Sequence, residues 1–182
     1  MRLVILGGSG SGKSTQAQRL CEHFDLPLIS TGEILWQVFA KHTDLDCQPK
    51  LLVETGTLIT NEMMIEFIRT RLTQPDTRRG WVLEGYPRTV FQAEELDFLL
   101  SDLRQSLSWA VYLQVPQAVM VGRSLGHFLP DDQPEIVQRR VELFYDRTIP
   151  ILEYYDHHRR LLTINGDQSP EIVHHHIMSL LS

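Results

Sequence analysis

Five short runs of apolar residues are spaced along the chain, and each is bounded by polar residues, glycine or proline. Residues 3–6 are continuously apolar and end at Gly7, which is typical of a short strand buried on both faces. The pattern predicts five strands, which begin near Arg2, Leu28, Trp81, Trp109 and Leu161.

Apolar residues at helical spacing fill the intervals between these runs. Residues 13–24, for example, carry Ala17, Leu20 and Phe24 on one face. Further helices are predicted over residues 33–40, 61–73, 90–100 and 118–125, and from Pro134 and Pro170 onward. Because strands and helices alternate to the end of the chain, we expect an α/β three-layer sandwich, with a five-stranded parallel sheet between two helical layers.

A glycine-rich loop follows the first strand, at the edge of the sheet where ligands bind in such folds. Residues 7–15 read GGSGSGKST and fit the P-loop pattern GxxxxGK[ST]. The glycines let backbone N–H groups surround a phosphate, and the next helix adds its positive N-terminal end. The loop predicts a nucleotide site in which Lys13 reaches the β- and γ-phosphates and Ser14 binds Mg²⁺. Many ATP and GTP enzymes share this loop.

Composition and charge narrow the class of protein. The chain has 182 residues, close to one domain, and its net charge of −6 argues against general nucleic-acid binding. Two cysteines are too few for a disulfide framework or a four-cysteine zinc site. No apolar run approaches the ~18 residues of a membrane span. No long unpaired apolar stretch stands out either, so we expect a cytoplasmic monomer without a membrane or nucleic-acid partner.

A series of motifs along nearly the whole chain resembles the adenylate kinases. Beyond the P-loop they are STGE at residues 30–33, GTLIT at 56–60, EGYPRT at 84–89 with Gln92, Arg123, DDQ at 131–133, and Arg140. The GYPRT block followed by Gln92 is the most specific of them. The resemblance implies reversible transfer of the γ-phosphoryl group of ATP to AMP, giving two ADP, with Mg²⁺.

The resemblance also divides the single domain into parts. The core comprises residues 1–29, 60–123 and 134–182, a small helical acceptor-binding insertion comprises residues 30–59, and a lid comprises residues 124–133. Because this lid is as short as in the short-lid members, it leaves no room for a zinc-bearing long lid. No structural zinc is expected.

Phosphoryl transfer explains why arginines matter at these positions. The protein must position two anions and neutralise charge on the moving group, so arginines should converge between the substrates. Arg88, just beyond the third strand, is predicted to clamp the acceptor phosphate. Arg123 and Arg140 flank the lid and are predicted to stabilise the transition state. With Lys13 they form the predicted catalytic set, and no general base is required.

Other roles follow from the resemblance alone. The expected ATP-binding residues are Gly10, Ser11, Gly12, Lys13, Ser14, Thr15, His127 and Gln168. The expected AMP-binding residues are Thr31, Trp36, Thr57, Leu58, Ile59, Gly85, Tyr86, Pro87, Arg88, Gln92 and Arg140. The Gln92 amide both donates and accepts hydrogen bonds, which suits the edge of adenine. Glu84 is expected to orient waters on the Mg²⁺ that Ser14 binds.

The chain departs from the family pattern at three arginine positions. Trp36 stands where the pattern has an arginine that holds the acceptor phosphate, and His127 and Leu129 stand at two lid arginines. A charge-assisted hydrogen bond contributes ~1.5–3 kcal/mol, so three uncompensated losses would slow the reaction roughly 10³- to 10⁶-fold. Protonated His127, Arg139 or Arg147 are candidates for compensation.

These departures keep two alternatives to an AMP kinase open. One is a kinase of another monophosphate or small acceptor, because Trp36 alters the acceptor pocket, where its ring either joins the core or stacks on a base. The other is a nucleotide-binding sensor with little turnover. The lost arginines favour the sensor, whereas Lys13, Arg88, Arg123 and Arg140 oppose it.

Restoring the missing charges tests whether the lid is weakened. We expect His127→Arg and Leu129→Arg to raise kcat/KM, and Trp36→Arg to tighten AMP binding separately. Because histidine titrates near ~6.5, protonated His127 should help lid closure below that pH, and its help should fade as pH rises. The measurement is steady-state kinetics on single and combined variants from about pH 6 to 8. Unchanged or lower activity after all three substitutions would contradict the expectation.

Overall fold

The predicted apolar runs form a five-stranded sheet in the computed structural model, which describes residues 1–32, 60–125 and 134–181, without the side chains of residues 136 and 140. The strands are β1 (Arg2–Leu6), β2 (Leu28–Ser30), β3 (Trp81–Glu84), β4 (Trp109–Gln114) and β5 (Leu161–Asn165). Their order across the sheet is β2-β3-β1-β4-β5, and every neighbouring pair is parallel. The predicted all-parallel sheet is confirmed.

Helices fill the intervals between the strands, as predicted. They are α1 (Lys13–Phe24), α2 (Asn61–Leu72), α3 (Val90–Asp102), α4 (Gln117–Leu125), α5 (Pro134–His157) and α6 (Pro170–Leu181), with a short 3-10 helix at Pro75–Thr77. The helix expected over residues 33–40 lies outside the described residues. No helix within the described ranges has the length and apolar character needed to cross a membrane.

Each face of the sheet buries its own core, because alternate residues of a strand point to opposite faces. Val4 and Leu6 of β1 pack in a cluster with residues of α2, α3 and α5. Leu3 and Ile5 pack in a second cluster with residues of α1 and α6. The described helices therefore cover both faces, which gives the predicted three layers.

The long helix α5 is anchored along its length. Val137, Val141 and Ile151 are fully buried. Between them, the Phe144 ring stacks on the Tyr112 ring of β4, with ring centroids 6.4 Å apart and an interplanar angle of 28°. These apolar side chains form one stripe, and it fixes which side of α5 faces the sheet.

The strand register brings the carboxyl ends of four strands to one edge of the sheet. Ile5 of β1 pairs with Glu84 of β3, and Leu6 pairs with Tyr112 of β4. Ser30, the last residue of β2, also pairs with Glu84. The loops that follow β1, β2 and β3 therefore begin side by side.

A matched pair of leucines tests the packing of the sheet against α3. Leu96 is fully buried in α3, whereas Leu180 in α6 is 50% exposed. We expect Leu96→Ala to lower the free energy of unfolding by about 2–5 kcal/mol, because it leaves a cavity in the core. Leu180→Ala should change it by less than about 1 kcal/mol. Urea unfolding measures both, and equal effects would contradict the described core.

Candidate active site

The P-loop, residues 7–15, joins β1 to α1 through two glycines in the left-handed region. Gly10 has φ 78° and Gly12 has φ 87°, a conformation that side chains rarely adopt. The Ser11 N–H donates to Gly8 O at 3.2 Å, and the Gln16 N–H donates to Gly12 O at 3.0 Å as α1 begins. The loop thus curls tightly in front of the positive end of α1.

The P-loop packs against α4 so closely that two of its glycines have no room for a side chain. A Cβ on Gly10 would overlap the carbonyl oxygen of Met120 and lie 2.9 Å from Ser124 Oγ. A Cβ on Gly8 would lie 2.7 Å from Met120 Sδ. Ser124 Oγ also donates to Ser9 Oγ at 3.1 Å, which links the loop to α4.

Lys13, the first residue of α1, folds back over the loop. Its Nζ donates to Gly8 O at 3.1 Å. The side chain is half-buried, and it lines the cleft in front of the loop. The ammonium group is therefore held where a phosphate on the loop would meet it.

Ser14 at the start of α1 and Glu84 at the end of β3 bring two oxygen ligands together. Ser14 Oγ donates to Glu84 Oε1 at 2.5 Å, and Glu84 is largely buried at the end of β3. A hydroxyl and a carboxylate suit Mg²⁺, which prefers oxygen ligands and keeps several waters. Among the described residues, no group of three or more histidine, cysteine or acidic side chains could hold a metal ion alone. The pair fits a Mg²⁺ that takes its remaining ligands from outside these two side chains.

The loop after β3 is built around a tight turn that holds Arg88. Gly85 has φ 86°, and a Cβ there would overlap Thr31 Oγ1 at the end of β2. Thr31 is buried, and its hydroxyl donates to Glu84 O at 3.4 Å. Arg88 Nε donates to Gly85 O at 2.9 Å, which fixes the guanidinium near the turn.

Tyr86 and Pro87 complete this turn in different ways. The peptide bond between them is cis, and both residues line the cleft. The Tyr86 ring, however, is 2% exposed and belongs to the core under α2 and α3. Burial raises the pKa of Tyr86 well above its ordinary value, so its hydroxyl is neutral at physiological pH.

Gln92 has a structural role that the sequence analysis missed. The Thr89 hydroxyl accepts the Gln92 N–H at 3.2 Å, and Gln92 Oε1 accepts the Arg88 N–H at 2.7 Å. This reciprocal pair is close to a capping box at the start of α3, and the T-x-x-Q spacing was the signal for it. Gln92 Nε2 also donates to Asn61 Oδ1 at 2.9 Å. In this structure the oxygen and the nitrogen of the amide each have one partner within the protein.

A cleft of about 230 Å³ opens between the P-loop and the loop after β3. Lys13, Arg88 and Arg147 of α5 line it, and no carboxylate of the described residues does. Of the two arginines considered as compensating charges, Arg147 lines the cleft, whereas Arg139 is exposed and does not. A cleft of this charge can hold phosphate groups from both sides.

Comparison with known proteins decides the family. The family model described as Adenylate kinase matches residues 5–160 of the chain, well over half of its length. The chain belongs to the adenylate kinase family. It is therefore an enzyme that transfers a phosphoryl group, as the sequence analysis predicted, and neither alternative interpretation is favoured.

Curated relatives agree with this family. The chain is 67% identical to "Adenylate kinase 2" of Nostoc sp., with 100% of this chain and 98% of that protein covered. It is 54% identical to "Adenylate kinase 2" of Synechocystis sp., with 91% and 92% covered. It is 39% identical to "Adenylate kinase" of Stenotrophomonas maltophilia, with 91% of each covered.

Two further residues expected in this adenylate kinase site meet at the loop after β5. Arg123 of α4 donates to Gly166 O at 3.1 Å and to Asp167 Oδ1 at 3.3 Å. Gln168 is half-buried, and its Oε1 is a buried atom without a hydrogen-bond partner among the described residues. A Cβ on Gly166 would lie 3.5 Å from Ser11 O, so this loop borders the P-loop. Sequence reasoning missed the pairing of Arg123 with Asp167, because the two are far apart in the chain.

Several expected site residues fall outside what the structure describes. They are Trp36, Thr57, Leu58, Ile59 and His127, together with Leu129 and the side chain of Arg140. Arg140 itself lies in α5, seven residues before Arg147. Their roles stay predictions.

Because the P-loop lies so close to α4, one methyl group added at Gly10 should strongly affect both protein stability and ATP binding. We expect Gly10→Ala to lower the free energy of unfolding by about 1–3 kcal/mol, because of the backbone strain and the clash with Met120. ATP binding should weaken with it. Urea unfolding and titration calorimetry measure the two effects.

Gly122 in α4 provides the matched control. A Cβ there meets nothing within 4 Å. Gly122→Ala should raise the free energy of unfolding by about 0.5–1 kcal/mol, as expected for alanine in a helix. If Gly10→Ala binds ATP as tightly as the unsubstituted protein, the described loop geometry is wrong.

Proposed function

We propose that the chain transfers the γ-phosphoryl group of ATP reversibly to AMP, giving two ADP, in the cleft between the P-loop and the loop after β3. The family to which it belongs supports this reaction. The structural observation that carries the proposal is the cleft itself, where cations from three different elements face one space. Phosphoryl transfer needs this arrangement, because its catalysis is mainly positioning and charge stabilisation.

The donor phosphates bind at the P-loop in this proposal. Backbone N–H groups around Gly10, Ser11 and Gly12 donate to them, and the N-terminal end of α1 adds positive charge. Lys13 neutralises charge on the group that moves. Arg123 exchanges its bonds to the loop after β5 for phosphate oxygens, and Gln168 and His127 complete the ATP site.

Ser14 and Glu84 hold the metal ion that accompanies ATP. Ser14 would ligate Mg²⁺ through its hydroxyl, and Glu84 would bind through water. When bound, Mg²⁺ neutralises the phosphate charge and orients the phosphate oxygens. The 2.5 Å contact between the two side chains supports the assignment, because it places both oxygens at one point beside the P-loop. No structural zinc is included in the proposal.

The acceptor nucleotide binds on the opposite wall of the cleft. Arg88 holds its phosphate, and Thr31, Gln92 and residues 57–59 hold its nucleoside. Beyond its bonds to Arg88 and Asn61, the Gln92 amide keeps one N–H and one lone pair with which it can contact adenine. Arg140 and the lid, residues 124–133, close over the phosphates from the α5 side, so that water is excluded from the reaction. The acceptor-binding part, residues 30–59, contributes Trp36.

The proposal also covers the partners, the oligomeric state and the location of the enzyme. We take ATP and AMP as its small-molecule partners and the monomer as its working form, without nucleic acid or membrane. The cytoplasm is the proposed location. Composition and the family support these points.

An acceptor panel tests the reaction directly. ATP and Mg²⁺ are incubated with AMP, GMP, CMP or UMP, and the nucleotides are separated and quantified over time. We expect the fastest reaction with AMP, and two ADP formed for each AMP consumed. A faster reaction with another monophosphate would contradict the assigned acceptor. Tight nucleotide binding without turnover would contradict the enzyme and favour a sensor.

Replacing Lys13 tests the role of the P-loop. We expect Lys13→Ala to lower kcat by at least ~10³-fold, because it removes positive charge from the migrating group. Arg79 is 72% exposed and pairs with Asp25 on the surface, so Arg79→Ala is the matched loss of one cation. That control should retain full activity. Near-normal turnover of Lys13→Ala would contradict the mechanism.

A further inference from the structure

The charge of the cleft contrasts with that of the whole chain. The protein carries a net charge of −6, yet the described residues that line the cleft include three cations and no carboxylate. Lys13 belongs to the P-loop and Arg88 to the loop after β3, so each has a substrate phosphate beside it in the proposed function. Arg147 is the third cation, and none of the substrate contacts proposed above involves it.

Two anchors of α5 define where Arg147 lies. Phe144, three residues earlier, packs beside the P-loop, since a Cβ on Gly8 would lie 3.2 Å from its Cδ1. Tyr154, seven residues later, donates through its hydroxyl to Asp97 Oδ2 of α3 at 2.8 Å. The helix therefore runs from the P-loop toward α3, the helix that follows Arg88. Arg147 lies between the two anchors.

The neighbours of Arg147 hold its backbone but leave its side chain accessible. Thr148 is buried at 6% exposure, and Ile151 is fully buried one turn later. Arg147 itself is exposed, and no carboxylate of the described residues forms an ion pair with it. Because the guanidinium is a planar fork, it can bind a phosphate with two parallel hydrogen bonds and loses less freedom for each bond than a lysine does.

We propose that Arg147 binds the phosphate of the acceptor nucleotide from the α5 wall of the cleft, across from Arg88. The inference rests on the proposed function. A phosphate monoester carries about −1.5 to −2 charges at neutral pH, more than Arg88 alone neutralises, and Arg140 is shared with the other phosphates under the lid. Donor phosphates meet Lys13, the N-terminus of α1 and Mg²⁺ on the P-loop side. The acceptor phosphate therefore has the greater need for a further arginine.

The test compares AMP with adenosine, which lacks the phosphate. Arg147→Gln should raise the KM and the Kd for AMP by about 10- to 100-fold, where each tenfold change corresponds to about 1.4 kcal/mol. The inhibition constant of adenosine against AMP, and the KM for ATP, should change by less than about twofold, because neither involves the contact. The KM and the Kd of Arg147→Lys for AMP should lie between those of the unsubstituted protein and Arg147→Gln, because lysine keeps the charge but lacks the planar guanidinium fork.

Arg78 supplies the matched control. It is exposed and precedes β3, so it lies at the opposite edge of the sheet from the cleft. Arg78→Gln removes the same charge and should leave all of these constants unchanged. Melting temperatures of both Gln variants should equal that of the unsubstituted protein, because both side chains are exposed.

The possible outcomes separate this inference from the proposed function. If Arg147→Gln binds AMP as tightly as Arg78→Gln does, or weakens adenosine as much as AMP, Arg147 does not bind the acceptor phosphate. A raised KM for ATP with an unchanged KM for AMP would move the contact to the donor and overturn the inference. If the unsubstituted protein neither binds nor phosphorylates AMP, the proposed function fails and this inference with it.

Discussion

Parallel pairing of β1 with β3 is the constraint on which the site depends. It places the P-loop beside the loop that carries Arg88, although about seventy residues separate them in the chain. The Ser14–Glu84 hydrogen bond forms because Glu84 is the last residue of β3 and pairs with Ile5. An antiparallel arrangement would send the two loops to opposite edges of the sheet. Both walls of the cleft thus follow from one strand pairing and from the apolar alternation that stabilises it.

The placement of charged side chains makes this geometry suitable for phosphoryl transfer. Two phosphate-bearing substrates repel each other, and a protein with a net charge of −6 repels both at long range. The cleft overcomes this locally, because Lys13, Arg88 and Arg147 reach it from three separate elements while the described acidic side chains stay off its lining. Glu84, the one buried acid among the described residues, lies beside the cleft, where a metal ion can compensate its charge.

Local patterns in the sequence predicted the fold well because the parallel strands are short, apolar and bounded by polar residues, glycine or proline. The five strand starts and most helix ends agree with the structure to within one or two residues. The P-loop was predictable because its chemistry is contained in nine consecutive residues. Pairings over long distances were not: Arg123 with Asp167 and Gln92 with Asn61 depend on tertiary packing. Helical spacing made Arg147 a candidate beside Arg139, but only the packing of α5 distinguishes the two.

The most direct measurement is a crystal structure of the protein with AMP, Mg²⁺ and an ATP analogue that cannot transfer its terminal phosphate. We expect that phosphate on the P-loop beside Lys13 and the AMP phosphate on Arg88, with both in the cleft that α5 borders. The Ser14 hydroxyl should face the metal ion. An AMP phosphate bound away from residues 85–89, or nucleotides at the amino ends of the strands, would contradict the assignment of this cleft as the site of phosphoryl transfer.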